Sequence, residues 1–247
     1  MNDASFFKKI LTCLTLGLVL SALLLLLGNS GTIAWFPPVV VFSLVGISLL
    51  AALIYPFLWQ YQQVRGKVNS PKIYAWLYAL IRYCIAFNLA CFGWKKLFGL
   101  QFVVPLSVAE KPMNQQSGEW LTWYYFGHSF AYGLIVAAIQ IGGSLMLMFR
   151  KTLLLGVIIL FAFMLNLTLI NIFYQMNAGA LLQSVVITLG LLFLIMCDYK
   201  RLVEFFFRHQ PNLFSGISIH AITKNLIKFS AIILSLLFTI YLKSLVK

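Results

Sequence analysis

The stretch TLLLGVIILFAFMLNLTLINIF, residues 152–173, decides the fold class, because it is long and contains no charged side chain. A helix needs about 20 mostly apolar residues to cross the hydrocarbon core of a bilayer. The backbone must be helical there, since lipid offers its polar groups no hydrogen-bonding partners. Residues 152–173 are therefore predicted to form a transmembrane helix.

Six further stretches have the same character, so the chain is predicted to be an all-α membrane protein with about seven transmembrane helices. Together the predicted spans cover residues 9–28, 36–60, 73–94, 126–149, 152–173, 179–197 and 219–242. The composition agrees: 62% of the residues are hydrophobic and 9% are charged, whereas about a quarter of the residues in soluble domains are charged. A water-soluble globular protein is excluded.

The basic residues indicate the orientation of the chain in the membrane. The net charge is +13. If the N-terminus is cytoplasmic, most lysines and arginines fall on cytoplasmic ends, and few fall on the opposite side. This positive-inside pattern predicts a bacterial cytoplasmic (inner) membrane protein with its N-terminus inside and its C-terminus outside. The lipid bilayer is then the expected partner, and nucleic acid is not.

Polar residues within the spans are the candidates for function. An arginine in the middle of a span costs about 2.5 to 3.5 kcal/mol on insertion scales, so Arg82 on the third span is a candidate functional residue. Gln140 on the fourth span lies at a similar depth, since each helical residue rises 1.5 Å. The predicted intramembrane pocket consists of Arg82, Asn88, Gln140, Asn166 and Asn171. Alternatively, the amides, with Gln183, only tie packed helices together.

Arg82 has no acidic neighbour at its own depth. The five acidic residues, all predicted to lie outside the membrane core, are Asp3, Glu110, Glu119, Asp198 and Glu204. A helical side chain leans toward the helix N-terminus, so the Arg82 guanidinium is expected to reach toward the cytoplasmic side. Two partners remain open: Asp198, with Gln140 as a neutral second contact, or an anionic or carbonyl-bearing ligand.

Residues 98–125 are predicted to form the one sizeable external loop. An aromatic cluster ends it, namely Trp120, Trp123, Tyr124 and Tyr125. Such clusters usually anchor a protein at the membrane interface. His128 follows, either as a structural residue or for proton exchange near an external quinol headgroup.

The sequence contains few of the spacing patterns that are typical of catalytic or metal-binding sites. The four cysteines all fall within predicted helices and form no CxxC pair. No grouping of histidine, cysteine and acidic residues has the spacing of a metal site. We therefore predict no catalytic residue and no metal site.

Two motifs resemble the DoxX-like family of integral membrane proteins. The first is RYCIAF at residues 82–87 leading to GWKKL at 93–97, and the second is QIGGSL at 140–145 continuing to RKT at 150–152. Asn166 and Asn171 correspond to the third family helix, and residues 190–201 are similar to the fourth. The resemblance implies a four-helix bundle over residues 73–202, with two additional helices in residues 1–72 and a cytoplasmic linker plus last helix in 203–247.

Within that resemblance, the family implies an accessory role. Some DoxX-like proteins are described as subunits of thiosulfate:quinone oxidoreductase or as membrane partners of redox enzymes. We therefore expect an accessory or quinone-side subunit, with quinone as the possible cofactor and a redox protein as the possible partner. Gln140 stands where the family usually has glutamate, and an amide cannot hold a proton. The alternatives are a scaffold or assembly partner without chemistry and a small-anion transporter.

Overall fold

The computed structural model describes residues 5–28, 33, 36–208, 230, 232–241 and 243, and these contain helices and turns but no strand. In chain order, the helices are α1 (Phe6–Leu27), α2 (Pro38–Val64), α3 (Ser70–Leu97), α4 (Leu106–Ala109), α5 (Gly118–Gly127), α6 (Phe130–Met148), α7 (Leu153–Phe173), α8 (Ala178–Cys197), α9 (Tyr199–Val203) and α10 (Ile232–Tyr241). Six of these are long and apolar enough to cross a membrane, namely α1, α2, α3, α6, α7 and α8. The described chain is thus a polytopic helical membrane protein.

Short polar side chains begin several of these helices. The side-chain oxygens of Ser5, Asn69 and Asn177 accept hydrogen bonds from the backbone N–H three residues later, at the starts of α1, α3 and α8. Ser129 does the same for α6 by accepting from the N–H of Tyr132. Such N-caps satisfy backbone donors that the first helical turn leaves unpaired. They explain why α6 begins at Phe130 rather than at residue 126 as predicted.

The long helices pack in a definite order. The α3 helix packs against α6, α6 against α7, and α7 against α8, while α1 contacts both α3 and α8. The α2 helix packs mainly against α1 and exposes most of its apolar surface, as expected for a face in contact with lipid. The helices α3, α6, α7 and α8 therefore form a bundle, and α1 closes the seam between α3 and α8.

Helix α1 belongs to the core of the bundle. Val19 and Ala22 are fully buried in the same apolar cluster as Ile85 and Leu191. A Cβ at Gly190 would lie 3.0 Å from Val19, so α8 and α1 approach closely. The chain divides into two compact units, residues 1–203 and residues 204–247. The division predicted between residues 72 and 73, with residues 73–202 as a four-helix bundle, stays a prediction.

Small residues allow close contact between neighbouring helices. A Cβ added at Gly93 of α3 would lie 2.6 Å from Ile141 of α6, and one at Gly156 of α7 would lie 2.6 Å from the Cβ of Met146. Real Cβ atoms essentially never lie that close to another heavy atom. Glycine at these positions lets helix surfaces meet directly, which is how transmembrane helices gain packing energy.

The side chain of Lys9, near the start of α1, is completely buried. Its Nζ donates to the Oε1 of Gln60 at 2.7 Å and also to Gln63, and it lies 5.3 Å from the centre of the Trp59 ring. A buried cation is tolerated when polar groups surround it. Lys9 thus connects α1 to the end of α2.

The chain between α3 and α6 is more structured than the predicted external loop. It contains α4, a 3₁₀ turn at Met113–Gln115 and the ten-residue α5. Thr122 and Phe126 of α5 are buried, and α5 packs against α6 and α7. The aromatic residues predicted as a membrane anchor are therefore partly built into the bundle.

The second unit contains a π-helical turn at Glu204–Arg208 and α10. Arg208 and Glu204 form an exposed ion pair at 3.9 Å. The predicted seventh span, residues 219–242, lies partly outside the described residues. Ten residues of α10 would be about 15 Å long, too short to cross a bilayer unaided, so the seventh span stays a prediction.

Candidate functional site

A cavity of about 330 Å³ lies at the end of the bundle where α3 and α7 finish and where α6 and α8 begin. We call it the amide cavity, because its polar lining includes the side-chain amides of Asn88, Gln140, Asn171 and Gln183. Its apolar walls include Leu25 and Leu26 of α1, Leu89 and Phe92 of α3, and Phe163, Met164 and Leu167 of α7. Pockets of roughly 300 to 1,000 Å³ with mostly apolar walls and a few polar groups are typical of small-molecule sites.

Asn88, Gln140 and Gln183, from three different helices, contribute side-chain amides to the amide cavity. The Nε2 of Gln183 donates to the backbone oxygen of Ala22 at 2.8 Å, and the Nδ2 of Asn88 donates to the Oε1 of Gln183 at 3.5 Å. The Oδ1 of Asn88 and the Oε1 of Gln140 are shielded from solvent and accept no hydrogen bond among the described residues. Both residues are almost completely buried, at 0% and 1% exposure. Two buried acceptors are thus left without donors.

Asn171 and Ser184 form a separate polar contact on the wall of the amide cavity. The Nδ2 of Asn171 donates to the Oγ of Ser184 at 2.9 Å and to the backbone oxygen of Ala180 at 3.1 Å. These bonds join α7 to α8 and occupy the amide donor. Asn171 is therefore mainly a residue that fixes the wall, while Asn88 and Gln140 keep free acceptor capacity.

Two lysines line the wider end of the amide cavity. The Nζ of Lys96 donates to the Oε1 of Gln101 at 2.9 Å and to the backbone oxygen of Phe92 at 3.4 Å, and Lys95 lies beside it. From Asn88 to Lys96 the cavity follows α3 for about 12 Å, at 1.5 Å per residue. No aspartate or glutamate of the described chain lines this cavity. The ionisable residues of its described lining are both lysines.

Aromatic residues from the segment after α3 and from α5 cover the amide cavity. The ring of Phe102 stacks on Phe126 with ring centres 5.2 Å apart and meets Trp123 edge-on at 6.0 Å. Phe102 has a φ of 66°, a conformation that bulky side chains rarely adopt. Backbone strain of this kind persists only where surrounding contacts hold it, and it is frequent at ligand sites.

The position of α5 depends on Gly118. A Cβ at Gly118 would collide with the backbone carbonyl of Tyr174, just after α7. Asn177 donates to the Oε1 of Glu119 at 2.8 Å and so links α5 to the start of α8. These contacts hold Trp123 and Phe126 over the cavity.

Arg82, the main sequence candidate, is 5% exposed but does not line the amide cavity. Its guanidinium donates to the backbone oxygen of Met148 at 3.2 Å and to the hydroxyl of Tyr83 at 3.3 Å, while its Nε has no acceptor. Met148 is the last residue of α6, where helix carbonyls lack intrahelical partners. Arg82 therefore donates a hydrogen bond to an unpaired carbonyl at the C-terminal end of α6, an end that also carries partial negative charge.

The predicted partner of Arg82, Asp198, is engaged elsewhere. Its Oδ1 lies 3.6 Å from a guanidinium nitrogen of Arg201, and its Oδ2 accepts from the hydroxyl of Tyr78 at 3.5 Å. Within the described residues no ion pair joins Asp198 to Arg82. The proposed neutral contact, Gln140, belongs to the amide cavity instead.

The other residues that the sequence suggested as functional lie at different places in the structure. Asn166 is on the exposed face of α7 and does not line the amide cavity. His128 lines a second groove, with Tyr125 and Tyr132, to which Phe102 and Trp123 also contribute. The structure thus brings Asn88, Gln140 and Asn171 to one cavity and places Arg82, Asn166 and His128 outside it.

Sequence reasoning gave little weight to two residues of this cavity. Lys96 was treated as part of a family motif and as a topology signal, and Gln183 as one of several amides. Their cavity roles depend on the rotation of α3 and α8, which spacing along one helix does not reveal. The absence of acidic residues from the lining around Lys95 and Lys96 is visible only in the structure, so the sequence offered no signal for these roles.

The fold and this site define a class: a polytopic membrane protein with a ligand-sized cavity inside its helical bundle. The protein named "Uncharacterized protein YwoB" of Bacillus subtilis (strain 168) is 27% identical to this chain over 133 residues, covering 54% of this chain and 83% of that protein. No family model and no solved structure matches this chain. The DoxX-like resemblance stays a prediction from its motifs.

Proposed function

We propose that this chain is the quinone-side accessory subunit of a membrane redox system and that its amide cavity holds the quinone headgroup. The observation that carries the proposal is the cavity itself, with its volume of about 330 Å³ and its mixed lining. Phe92, Phe102 and Trp123 offer flat surfaces to a planar ring. Amide and ammonium groups offer hydrogen bonds to the ring oxygens.

The contacts of Lys96 favour a ligand with oxygen substituents at the wider end. Its Nζ already donates to Gln101 and to the backbone oxygen of Phe92, and in its protonated form a third proton is left for a carbonyl oxygen. The tail of an amphiphilic ligand would lie against Leu25, Leu26 and Leu89. The cavity would then contact the ligand through polar groups at its ends and through an apolar surface along its length.

An accessory role suits the residue types that line the amide cavity. Lys95 and Lys96 are its titratable residues, and the described lining contains no histidine, cysteine, aspartate or glutamate. Such a lining binds and orients a headgroup but offers no carboxylate or imidazole to relay its protons. Electron transfer would require a protein partner that carries a redox centre.

The sidedness of the cavity follows from the charge pattern. The end of the bundle that contains Lys96, Phe102 and Asn177 is the end that the positive-inside rule predicts to lie outside. The proposal therefore locates the quinone headgroup toward the outer leaflet, in a bacterial cytoplasmic membrane.

The small-anion transporter gains less support from the same observations. That alternative requires Arg82 as the binding charge and a broken helix near the midplane. Arg82 instead bonds to the end of α6, and α3 is continuous from Ser70 to Leu97. The scaffold alternative explains Arg82 well, but it does not explain a cavity with unpaired acceptors.

Equilibrium binding of a short-tailed quinone to the purified full chain in nanodiscs tests the proposal. We expect saturable binding that Ala180→Trp abolishes, because Ala180 lines the amide cavity and a tryptophan would fill it. The matched control, Ala178→Trp, adds the same side chain at an exposed position of the same helix and should bind normally. Absence of saturable binding, or equal loss in both variants, would rule the proposal out.

A further inference from the structure

Among the described residues, Lys95 and Lys96 are the ionisable side chains that the amide cavity offers to a ligand. The side-chain oxygens of Asn88 and Gln140 are shielded from solvent, so a ligand in the cavity does not contact them. The Oε1 of Gln101 already accepts a hydrogen bond from Lys96 at 2.9 Å. The strongest groups left for a ligand are therefore the ammonium donors of the two lysines.

Neither lysine has an acidic partner within the part of the chain that the structure describes. The salt bridges found there involve arginines only. Glu119 accepts a hydrogen bond from Asn177 on the cavity wall, but Glu119 itself does not line the cavity. Removing a charge from water is costly unless an opposite charge or hydrogen bonds compensate for it. A bound anion would supply the opposite charge.

The two lysines converge on one aromatic ring. The Nζ of Lys95 lies 5.6 Å from the centre of the Phe92 ring, and the Nζ of Lys96 lies 5.8 Å from it. The Nζ of Lys96 also lies 5.5 Å from the centre of the Phe102 ring. Aromatic rings attract cations, but two neighbouring ammonium groups repel each other. An anion that contacts both groups would replace this repulsion by attraction.

The rest of the lining is apolar over much of the cavity. Leu25, Leu26, Leu89 and Phe163 offer no group that pairs with a charge or replaces its hydration. A small hydrated anion would lose water there without compensation, whereas an apolar molecule gains from burial against these side chains. The lining therefore suits a molecule that is charged at one end and apolar along the rest of its length.

We propose that the amide cavity selects an anionic amphiphile, with an ionised oxygen against Lys95 and Lys96 and an apolar body against Leu25 and Leu26. For a quinone ligand this inference rests on the proposed function, and it specifies a quinone that carries an ionised hydroxyl group. A lipid with an anionic headgroup presents the same chemistry, so the experiment includes one probe of each kind.

Two probe pairs vary the charge and keep the shape nearly constant. At pH 7, 2-hydroxy-1,4-naphthoquinone is ionised and 2-methoxy-1,4-naphthoquinone is neutral. Dodecanesulfonate and dodecyl methyl sulfone form the corresponding pair without a quinone ring. With the full chain in nanodiscs of uncharged lipid, affinities are corrected for partition into empty nanodiscs. We expect the ionised member of each pair to bind about tenfold more tightly, which equals about 1.4 kcal/mol.

Variants locate the preference for the ionised probe. Lys96→Met removes the ammonium group, so we expect the preference to fall severalfold while the neutral probe binds as before. Lys96→Arg keeps a cation and should keep most of the preference. Lys111→Met is the matched control, because Lys111 is an exposed lysine of the segment between α3 and α6 that does not line the amide cavity. This control should retain the full preference.

The outcomes distinguish the inference from the proposed function. Saturable quinone binding with equal affinities within each pair would overturn the inference and leave the proposed function standing. A preference that survives the combined Lys95→Met and Lys96→Met changes, or that Lys111→Met removes equally, would also overturn it. A lysine-dependent preference for the sulfonate without binding of either quinone would support the inference and rule out the proposed function. If no probe binds saturably, both proposals fall.

Discussion

Arg82 shows how a buried charge can serve a helix end rather than a ligand. Its guanidinium reaches the carbonyl of Met148, at the C-terminus of α6, where cations are favoured. The neighbouring Tyr83 ring lies 5.1 Å from the guanidinium and adds a cation–π contact. The charge thus joins α3 to α6 without facing the amide cavity.

Replacing Arg82 by methionine should therefore affect stability and not ligand binding. Loss of the interhelical hydrogen bond is expected to cost about 1 to 2 kcal/mol, which a thermal unfolding midpoint in detergent would register. Quinone affinity should change less than about twofold, well under 1 kcal/mol. Arg150→Met, at an exposed position, is the control. Loss of binding at unchanged stability would contradict this assignment.

The short helix α5 covers the amide cavity between the membrane-spanning helices. Trp123 and Phe126 lie on it and meet Phe102 from the preceding segment. Gly118 allows the start of α5 to touch the backbone at Tyr174. This close backbone contact therefore helps to fix the position of the cover, together with the hydrogen bond from Asn177 to Glu119.

Gly118→Ala should displace α5 and weaken both stability and binding. Because the added Cβ meets backbone and not a flexible side chain, we expect a destabilisation of about 1 to 3 kcal/mol. Quinone affinity should fall with it, measured by equilibrium binding. Gly142→Ala adds a Cβ into open space within α6 and should stabilise the helix by up to about 1 kcal/mol. Normal binding by the Gly118 variant would show that α5 does not cover the site.

The amide cavity lies near one end of the helical bundle, so the orientation of the chain in the membrane decides which side the cavity faces. The amide cavity lies at the end formed by the finish of α3 and the start of α8. The distribution of lysine and arginine predicts that this end faces outward. A ligand would then enter from the outer leaflet.

Cysteine labelling in intact cells tests this orientation. In a background without the four native cysteines, Ser107→Cys, in α4, should react with an impermeant maleimide added outside. Lys67→Cys, between α2 and α3, should react only after permeabilisation. Both positions are exposed, so accessibility differs only through the membrane. The reverse pattern would place the amide cavity on the cytoplasmic side.

Much of the fold could be predicted because the relevant signals are local. The first six predicted spans correspond to α1, α2, α3, α6, α7 and α8, since apolar length is a property of each segment alone. The beginning of α6 was placed too early, because Phe126 and Gly127 extend the apolar pattern but belong to α5, while Ser129 caps a new helix.

The candidate site could be predicted only in part. Asn88, Gln140 and Asn171 were expected together and do line one cavity, whereas Arg82 and Asn166 do not. Depth along a helix follows from residue number, but the direction of a side chain does not. A rotation of about 100° per residue separates neighbouring side chains, so residues at one depth can face a cavity, a helix end or lipid.

The amino-acid sequence alone determined that this chain crosses a membrane and which segments do so, because burial in lipid demands long apolar helices whatever their partners are. Tertiary structure alone decided that Asn88 and Gln140 keep unpaired acceptors in a covered cavity and that Arg82 supports the end of α6. Those outcomes depend on how the helices rotate against each other and on α5 folding back over them. Such contacts join residues far apart in the chain, so no local pattern encodes them.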